Sequence, residues 1–469
     1  MKFILFTVSI SFIFLNYSLA KVCSDSIKIS EDSAVYIPDV YVNKIIIAGN
    51  KITDDDIVLR ELTIKENSKL DLKLLQEDVQ RIYNLGLFNK VDVIPVQTDS
   101  ANTVNIMFLV EERFYIFPIP QGGFRNGNLS NFWIGLNLLW KNFRGRNETL
   151  SLSFGVGYEP FVGISYSVPW IGEKQHFFSS VAVNYAVIYN KSLQSLNDSN
   201  NSLTPSEFSD LKNNNFNASF AFGKYFSKVF SLNTNLGYHL VKISDLKNSV
   251  TLSRDGKDNY MTFSIGGRYD TRNSSEYAMI GSLYTLEYIK YGFGKSFDFN
   301  RVFVDARRFI PVKISGSYSI TLAARFLGVI SFGGTIPVYL NQFYGYDKII
   351  RGYKNIVLEG ENQSGLFTEL RIPVIDPFYL KGKDMPIARS VSLLKNYSYK
   401  FGLFATLFFD VGNVWNKNDN FFNTRFYNGF GTGLNFILPF GLVGRTDFAF
   451  RKDNKTFTPQ VVFNLEASF

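Results

Sequence analysis

The chain has 469 residues, with 47 Phe and 26 Tyr against 5 Met, 35 Gly and a formal charge of +8. Its Lys and Arg are scattered rather than striped, which argues against nucleic-acid binding; Cys23 is the lone cysteine, so no internal disulfide can form, and His176 and His239 are too few for a His-rich metal site. An aromatic, β-forming chain whose one long apolar run lies at its start is either a soluble β-protein or a barrel that crosses a membrane with strands.

Residues 1–20, MKFILFTVSISFIFLNYSLA, combine one Lys, an apolar core and small residues at Ser18 and Ala20. That pattern predicts a secretory signal peptide cut after Ala20. The apolar core is shorter than the ~20 residues of a spanning helix. Lys21 and Val22 fit a lipobox before Cys23 poorly, and residues 21–37 read as a short extension.

YVNKIIIAGN (41–50) is a β-branched strand ending in a Gly-Asn turn. Thr53 is placed to cap a helix in TDDDIVLREL, with acids in its first turn. DLKLLQEDVQRIYNLGLF predicts a second helix with an apolar stripe at Leu72, Leu75, Val79, Ile82 and Leu85, ended by Gly86. Strands follow at 90–98 and 103–112. The order β-α-α-β-β makes a small α+β domain over 38–112, with no catalytic constellation in it.

From 113 to 469 the pattern has a period of two. In NETLSLSFGVGY, Leu150, Leu152, Phe154, Val156 and Tyr158 share one face, with Thr, Ser and Gly on the other. FGLFATLFFDVG and QVVFNLEASF alternate the same way. Several such runs reach ten residues, Trp170 and Trp415 sit near strand ends, and Phe469 closes an alternating strand. These features favour an antiparallel transmembrane β-barrel over a soluble sandwich. Run centres near 118, 136, 153, 166, 183, 220, 236, 265, 286, 304, 325, 369, 407, 433, 446 and 465 predict sixteen strands. The Asn- and Ser-rich stretch 191–215 reads as a long extracellular loop. Pro118 and Pro120 in FYIFPIPQGGF (114–124) remove ladder donors, so this first strand should pair weakly with the last, QVVFNLEASF (460–469).

A connection at 333–364, with IIRGY at 349–353, is too polar and Gly-rich for a strand, yet Tyr344, Tyr346, Ile349, Ile350 and Tyr353 make it too apolar for a wet loop. It should fold into the barrel. An arginine carried inside needs anions. Glu369 in SGLFTELRIPV and Asp410 in FFDVGNVW lie out of phase with the apolar residues around them, hence on inner faces of the next two strands. Position alone leaves two readings of Arg351 open: a guanidinium clamped by both acids, or a solvated loop cation with unrelated acids nearby.

The run VNKIIIAGN, VLREL, LGLFNKVDV and VNIMFLVEER resembles a POTRA domain, the periplasmic module of the BamA-type outer-membrane insertase superfamily. IIRGY resembles the Val/Ile-Arg-Gly-Phe/Tyr signature of that superfamily's sixth extracellular loop, and FFDVGNVW its companion strand motif. RYDTRN (268–273) and GFGTGLNFILPFG (429–441) stand in the same order. The resemblance implies that Arg351, with Gly352 and Tyr353, forms the loop motif and that Glu369 and Asp410 are its barrel-wall partners. It implies a factor that helps β-barrel proteins fold into the bacterial outer membrane, without catalysis, cofactor or metal. Implied partners are unfolded outer-membrane proteins, outer-membrane lipids, and periplasmic chaperones or accessory lipoproteins, but no nucleic acid. A POTRA would dock extended chain by strand addition. The single POTRA departs from the several in the best-known insertases. The alternative is a two-partner-type polypeptide translocation pore; such relatives carry two POTRA domains and a plug helix, for which residues 21–40 are short. A barrel enzyme is disfavoured, since no G-x-S-x-G elbow occurs.

Overall fold

The computed structural model describes residues 40–465, apart from 100–101, 125–131, 173–175, 190–211, 244–250, 295–296, 317, 346–347, 355, 386–396 and 454–455. The expected signal peptide and extension, Cys23, Tyr346, most of the 191–215 stretch and Phe469 lie outside the described residues.

The N-terminal module has the expected order: β1 Tyr41–Ala48, α1 Asp55–Leu59, α2 Leu72–Asn84, β2 Phe88–Gln97 and β3 Thr103–Glu112. β3 is central, parallel to β1 and antiparallel to β2. Its alternate residues Val104, Ile106, Phe108 and Val110 are buried, as are Leu75 and Ile82 of α2. The strand's period of two and the helix's seven-residue repeat thus turn apolar faces inward. Two local expectations fail. Leu72 is exposed, because it is the first helical residue, and Asp78 holds a buried place further along the helix. Thr53 does not cap α1: its hydroxyl donates to Glu112 Oε1 at 2.7 Å, and the cap position falls to Asp54, whose side chain makes no cap bond. A cap would use the Thr53 oxygen as an acceptor, and that role is taken by Asn142, whose Nδ2 donates to it at 2.8 Å.

The remaining strands begin with β4 Ile116–Phe124, β5 Phe132–Phe143, β6 Glu148–Gly157, β7 Phe161–Ile171, β8 Phe177–Tyr189, β9 Lys212–Tyr225 and β10 Phe230–Ile243. Next come β11 Lys257–Asp270, β12 Gly281–Tyr291, β13 Phe299–Ser315, β14 Tyr318–Gly333 and the short β15 Gln342–Tyr344 and β16 Leu358–Gly360. The chain finishes with β17 Asn362–Lys381, β18 Ser398–Trp415, β19 Tyr427–Leu438, β20 Leu442–Asp453 and β21 Thr456–Asn464. β15 pairs only with β16; the others form one antiparallel sheet of sixteen, running from β4 to β21. Fifteen expected centres fall inside strands, and the sixteenth, 465, lies just past Asn464.

The faces follow the alternation. Phe154 and Val156 are 53% and 62% exposed on the outer face, while Gly155 between them is buried. Trp133, Trp170 and Trp415 sit at or next to strand ends, where aromatic side chains bridge apolar and wet surroundings. β9 corrects one expectation: it starts at Lys212, inside the stretch read as loop. Its Asn213, Asn215 and Asn217 alternate with Asn214 and Phe216. Asparagines look like loop in sequence, but an inner barrel face accepts them.

The module packs against one rim of this sheet. Asp54 N donates to the Gly145 carbonyl at 3.0 Å, and Arg60 lies 5.0 Å from the Trp170 ring centre. Glu111 accepts from the backbone and hydroxyl of Ser398. Lys228, in the β9–β10 turn, donates to the Glu61 carbonyl at 2.5 Å and to Thr63 Oγ1 at 3.1 Å.

Two outcomes test this packing. Asp78 is fully buried and accepts from the backbone of Thr63 and Ile64 as well as from Arg81. Asp78→Ala leaves those donors unmet and should weaken the module by about 2–3 kcal/mol, seen as faster hydrogen exchange in residues 41–112 with the barrel unchanged. Lys228 is pushed down to about 8 by burial first, then by Arg81, with Glu61 opposing and Lys65 adding to the shift. A base whose value falls on docking favours the neutral form, so docking should strengthen as pH rises from about 8 toward the ordinary 10.5. Spin-label distances between module and rim should tighten over that range, and Lys228→Met should reduce the change.

Candidate functional site: an inward loop seated on buried charge

The connection from β14 to β17 spans 334–361 and is not wholly irregular, as its composition suggested. Its start is held by Arg301, which donates to Ser331 Oγ and to the Leu340 carbonyl, each at 2.9 Å. The β15–β16 ribbon then turns the chain inward. Tyr344 is fully buried and donates to the Ser364 carbonyl at 2.9 Å; Gln363 donates to the Phe343 carbonyl at 2.8 Å. Ile350 and Tyr353 are buried against Tyr344, Leu327 and Phe367 in one apolar cluster. These anchors deliver the tip to the inner wall.

Arg351 is only 2% exposed. Its Nε and Nη2 donate to the two oxygens of Asp410 at 2.7 and 2.5 Å, and its Nη1 to Glu369 Oε1 at 2.6 Å. Its backbone N–H also donates to Asp410, at 3.1 Å. The guanidinium lies 3.7 Å from the centre of the Phe408 ring. Glu369 and Asp410 stand on the adjacent strands β17 and β18, both facing inward because both share the phase opposite to exposed Leu366 and Phe409. The structure therefore brings together all three charged residues singled out from sequence.

Gly352 and Tyr353 complete the seat. Gly352 has φ of +95°, a conformation that other residues adopt at a cost. Its carbonyl accepts from Arg451 of β20 at 3.0 Å. Tyr353 meets Tyr427 of β19 edge to face at 5.5 Å. Lys354 exchanges two 2.9 Å bonds with the Gln460 side chain of β21. On β19, a Cβ at Gly429 would lie 1.7 Å from the Arg351 carbonyl, so only glycine lets the tip approach.

Sequence reasoning missed several partners. Arg371 donates from Nε to Glu369 Oε2 at 3.0 Å and from Nη1 to the Ala278 carbonyl at 2.6 Å. It lies two residues past Glu369, in the same phase, so the alternation could have found it. Tyr277, its ring 4.9 Å from that of Phe404 and facing the Arg371 guanidinium, lies in the β11–β12 connection, which carries no periodicity to reveal it. Asp447 and Arg445, a buried pair on β20, also share an inward phase.

Comparison with known proteins matches this architecture. A model described as the Omp85 superfamily domain matches residues 142–469, and a POTRA model, described as a surface antigen variable number repeat, matches residues 40–113. Outer envelope protein 80 of the Oryza sativa chloroplast is 28% identical over 130 residues, which is 25% of this chain and 19% of that protein. The outer membrane protein assembly factor BamA of Nitratidesulfovibrio vulgaris is 24% identical over 143 residues, 29% of this chain and 18% of that one. The matches thus span about a fifth of these relatives' lengths. Among solved structures, BamA from Haemophilus ducreyi lacking POTRA domains 1–3 aligns with a TM-score of 0.50 at 18% identity, over 90% of this chain and 84% of that one. CdiB from Escherichia coli aligns with a TM-score of 0.58 at 12% identity, over 91% and 75%. At such identities the likeness is one of fold. With one domain model covering most of its length and a POTRA model preceding it, the chain belongs to the Omp85 superfamily.

Proposed function

We propose that this protein is an assembly factor of the bacterial outer membrane, with its POTRA domain in the periplasm, that helps unfolded outer-membrane proteins insert as barrels. The domain limits proposed are a signal peptide at 1–20, an extension at 21–37, a POTRA domain at 38–112 and a barrel at 113–469 with an inward loop at 333–364. Lipids of that membrane and periplasmic chaperones or accessory lipoproteins are the further partners. No catalytic step, cofactor or metal is required, because the work is exchange of backbone hydrogen bonds.

The observation that carries this reading is the pair of end strands. Among the described residues the ladder ends at β4 on one side and β21 on the other, and no pairing links them. β4 contains Pro118 and Pro120, and β21 contains Pro459, so each lacks donors there. A strand edge in lipid has no water to satisfy it. Such a seam would offer a template edge to an incoming strand, which pairs with it and zips outward.

Arg351, Gly352 and Tyr353, with Glu369 and Asp410, are the proposed working parts of the loop. The tip bonds to β17, β18, β20 and β21 and packs against β19. It would brace the β21 side of the seam as a stiff template. A second reading, a pore for a partner polypeptide, draws support from the uncharged patch of inner wall at Ser151, Ser153, Gly163, Asn184 and Asn217. Single-channel recording with a partner exoprotein separates the two.

Depletion followed by a census of outer-membrane proteins tests the assembly role: many barrels should fall together. Arg351→Ala or Asp410→Ala should each cost the loop seat about 3–5 kcal/mol, because each strands a buried charge. Both should lower assembly while the barrel still forms. The double change should cost far less than the sum, and additivity would mean that the clamp is absent. A disulfide joining a cysteine in β4 to one in β21 should block assembly until reduced; full activity in the oxidised state would count against a working seam.

A further inference from the structure

Where the POTRA domain meets the barrel, three cations surround one acid. Arg113, just past β3, is buried; its Nη2 donates to Glu276 Oε1 at 3.1 Å and its Nε to the Phe88 carbonyl at 2.8 Å. Lys141 of β5 and Lys400 of β18 are half-buried beside it. Lys400 Nζ is 3.4 Å from Tyr83 Oη and 4.8 Å from that ring's centre, and the Arg113 guanidinium lies 5.5 Å from the same centre. Tyr83 Oη donates in turn to Glu276 Oε2, at 3.4 Å. Lys141 and Lys400 both interact electrostatically with Glu276 and with Arg113. The Lys141 ammonium has no hydrogen-bond acceptor among the described residues, and it lies 4.0 Å from where a Cβ on Gly86 would stand.

The charge does not close. Three cations against one carboxylate leave a surplus of two, partly withdrawn from water. The nearest acids of β3 are engaged elsewhere: Glu111 with Ser398, and Glu112 with Thr53 and the Ile52 and Thr53 backbone. The Arg351 seat shows the contrast, since Arg351 and Arg371 there face Asp410 and Glu369 one for one.

We propose that this junction binds a phosphate-type oxyanion. Phosphate near neutral pH carries about −1.5 to −2 charges, which matches the surplus, whereas one carboxylate would leave it half met. Two ammonium groups act as point charges, and among the described residues Arg113 donates only from Nε and Nη2, leaving N–H donors, a set suited to phosphate oxygens. Lys141 alternates with exposed Trp140 and so faces the inner side. The ligand therefore enters from the aqueous mouth. Once bound, it ties the POTRA domain to β5 and β18, which lie on opposite sides of the two end strands.

The test uses the full chain purified in detergent in phosphate-free buffer, titrated calorimetrically with inorganic phosphate against chloride at equal ionic strength. The expected result is saturable binding of one phosphate. Lys141→Gln and Lys400→Gln should each weaken it at least tenfold, together they should abolish it, and Lys400→Arg should retain it. Heat-modifiable migration verifies that each variant keeps its barrel. Nanodiscs containing phosphatidic acid, a phosphomonoester of the same charge range, without free phosphate form a second arm: protection of the POTRA domain from protease there, dependent on both lysines, assigns the oxyanion to a lipid headgroup instead of a soluble phosphate. Absence of saturable binding in both arms overturns the proposal. Equal affinity in wild type and the double variant does so too, as does binding of an Asp/Glu-rich peptide in place of phosphate.

Discussion

A guanidinium withdrawn almost wholly from water is the constraint on which the barrel's interior turns. Arg351 can sit at 2% exposure only because Asp410 and Glu369 are already there, and those acids can be buried only because cations meet them. Arg371 takes the second oxygen of Glu369, so the group closes at two positive and two negative charges. No member is tolerable alone. The loop and the wall strands β17 and β18 therefore hold each other in place, and the loop's position is a property of the barrel rather than of the loop's own sequence.

That seat also explains a run of small residues. Gly429, Gly431 and Gly433 fall at alternate positions of β19, hence on one face. A Cβ at Gly429 would strike the Arg351 carbonyl. One at Gly431 would lie 2.8 Å from the Phe408 ring, the ring on which the guanidinium rests. One at Gly433 would lie 2.3 Å from Asp447 Oδ1. The strand is stripped of side chains where the loop, its aromatic floor and a neighbouring carboxylate crowd together. Bulk is placed instead on the outer face, at Phe430 and Leu434.

Local periodicity made the strands legible, because an inner and an outer face alternate whatever the tertiary context. The same rule failed at β9, where asparagines that belong to the inner wall imitate a loop. The expected cap failed at Thr53, where Asn142 donates to the oxygen that the helix terminus would use and the hydroxyl itself donates to Glu112. For the candidate site, phase placed Glu369 and Asp410 on the inner wall, but phase could not say that Arg351 reaches them. That pairing came from resemblance. Arg371 was readable by phase; Glu276 and Tyr277 were not, since a turn that folds inward leaves no repeat.

The network has a direction in the chain. Arg371 holds the carbonyl of Ala278, and two residues earlier Glu276 receives Arg113 of the POTRA junction. One short connection, Thr271–Ile280, thus touches the loop's charge seat at one end and the POTRA domain at the other. Ser274 and Asn273 fix its backbone by accepting from Glu276, Tyr277, Met279 and Ile280, and the Tyr277 hydroxyl accepts from Asn435 at 3.1 Å. A segment tied this closely cannot shift at one end without straining the other. On the proposed reading, the side of the seam that ends in β21 is braced through Gln460, the loop tip, Arg371 and this connection, while β4 has two prolines. The compliant edge is then β4, and an incoming strand would find the stiff template on the β21 side.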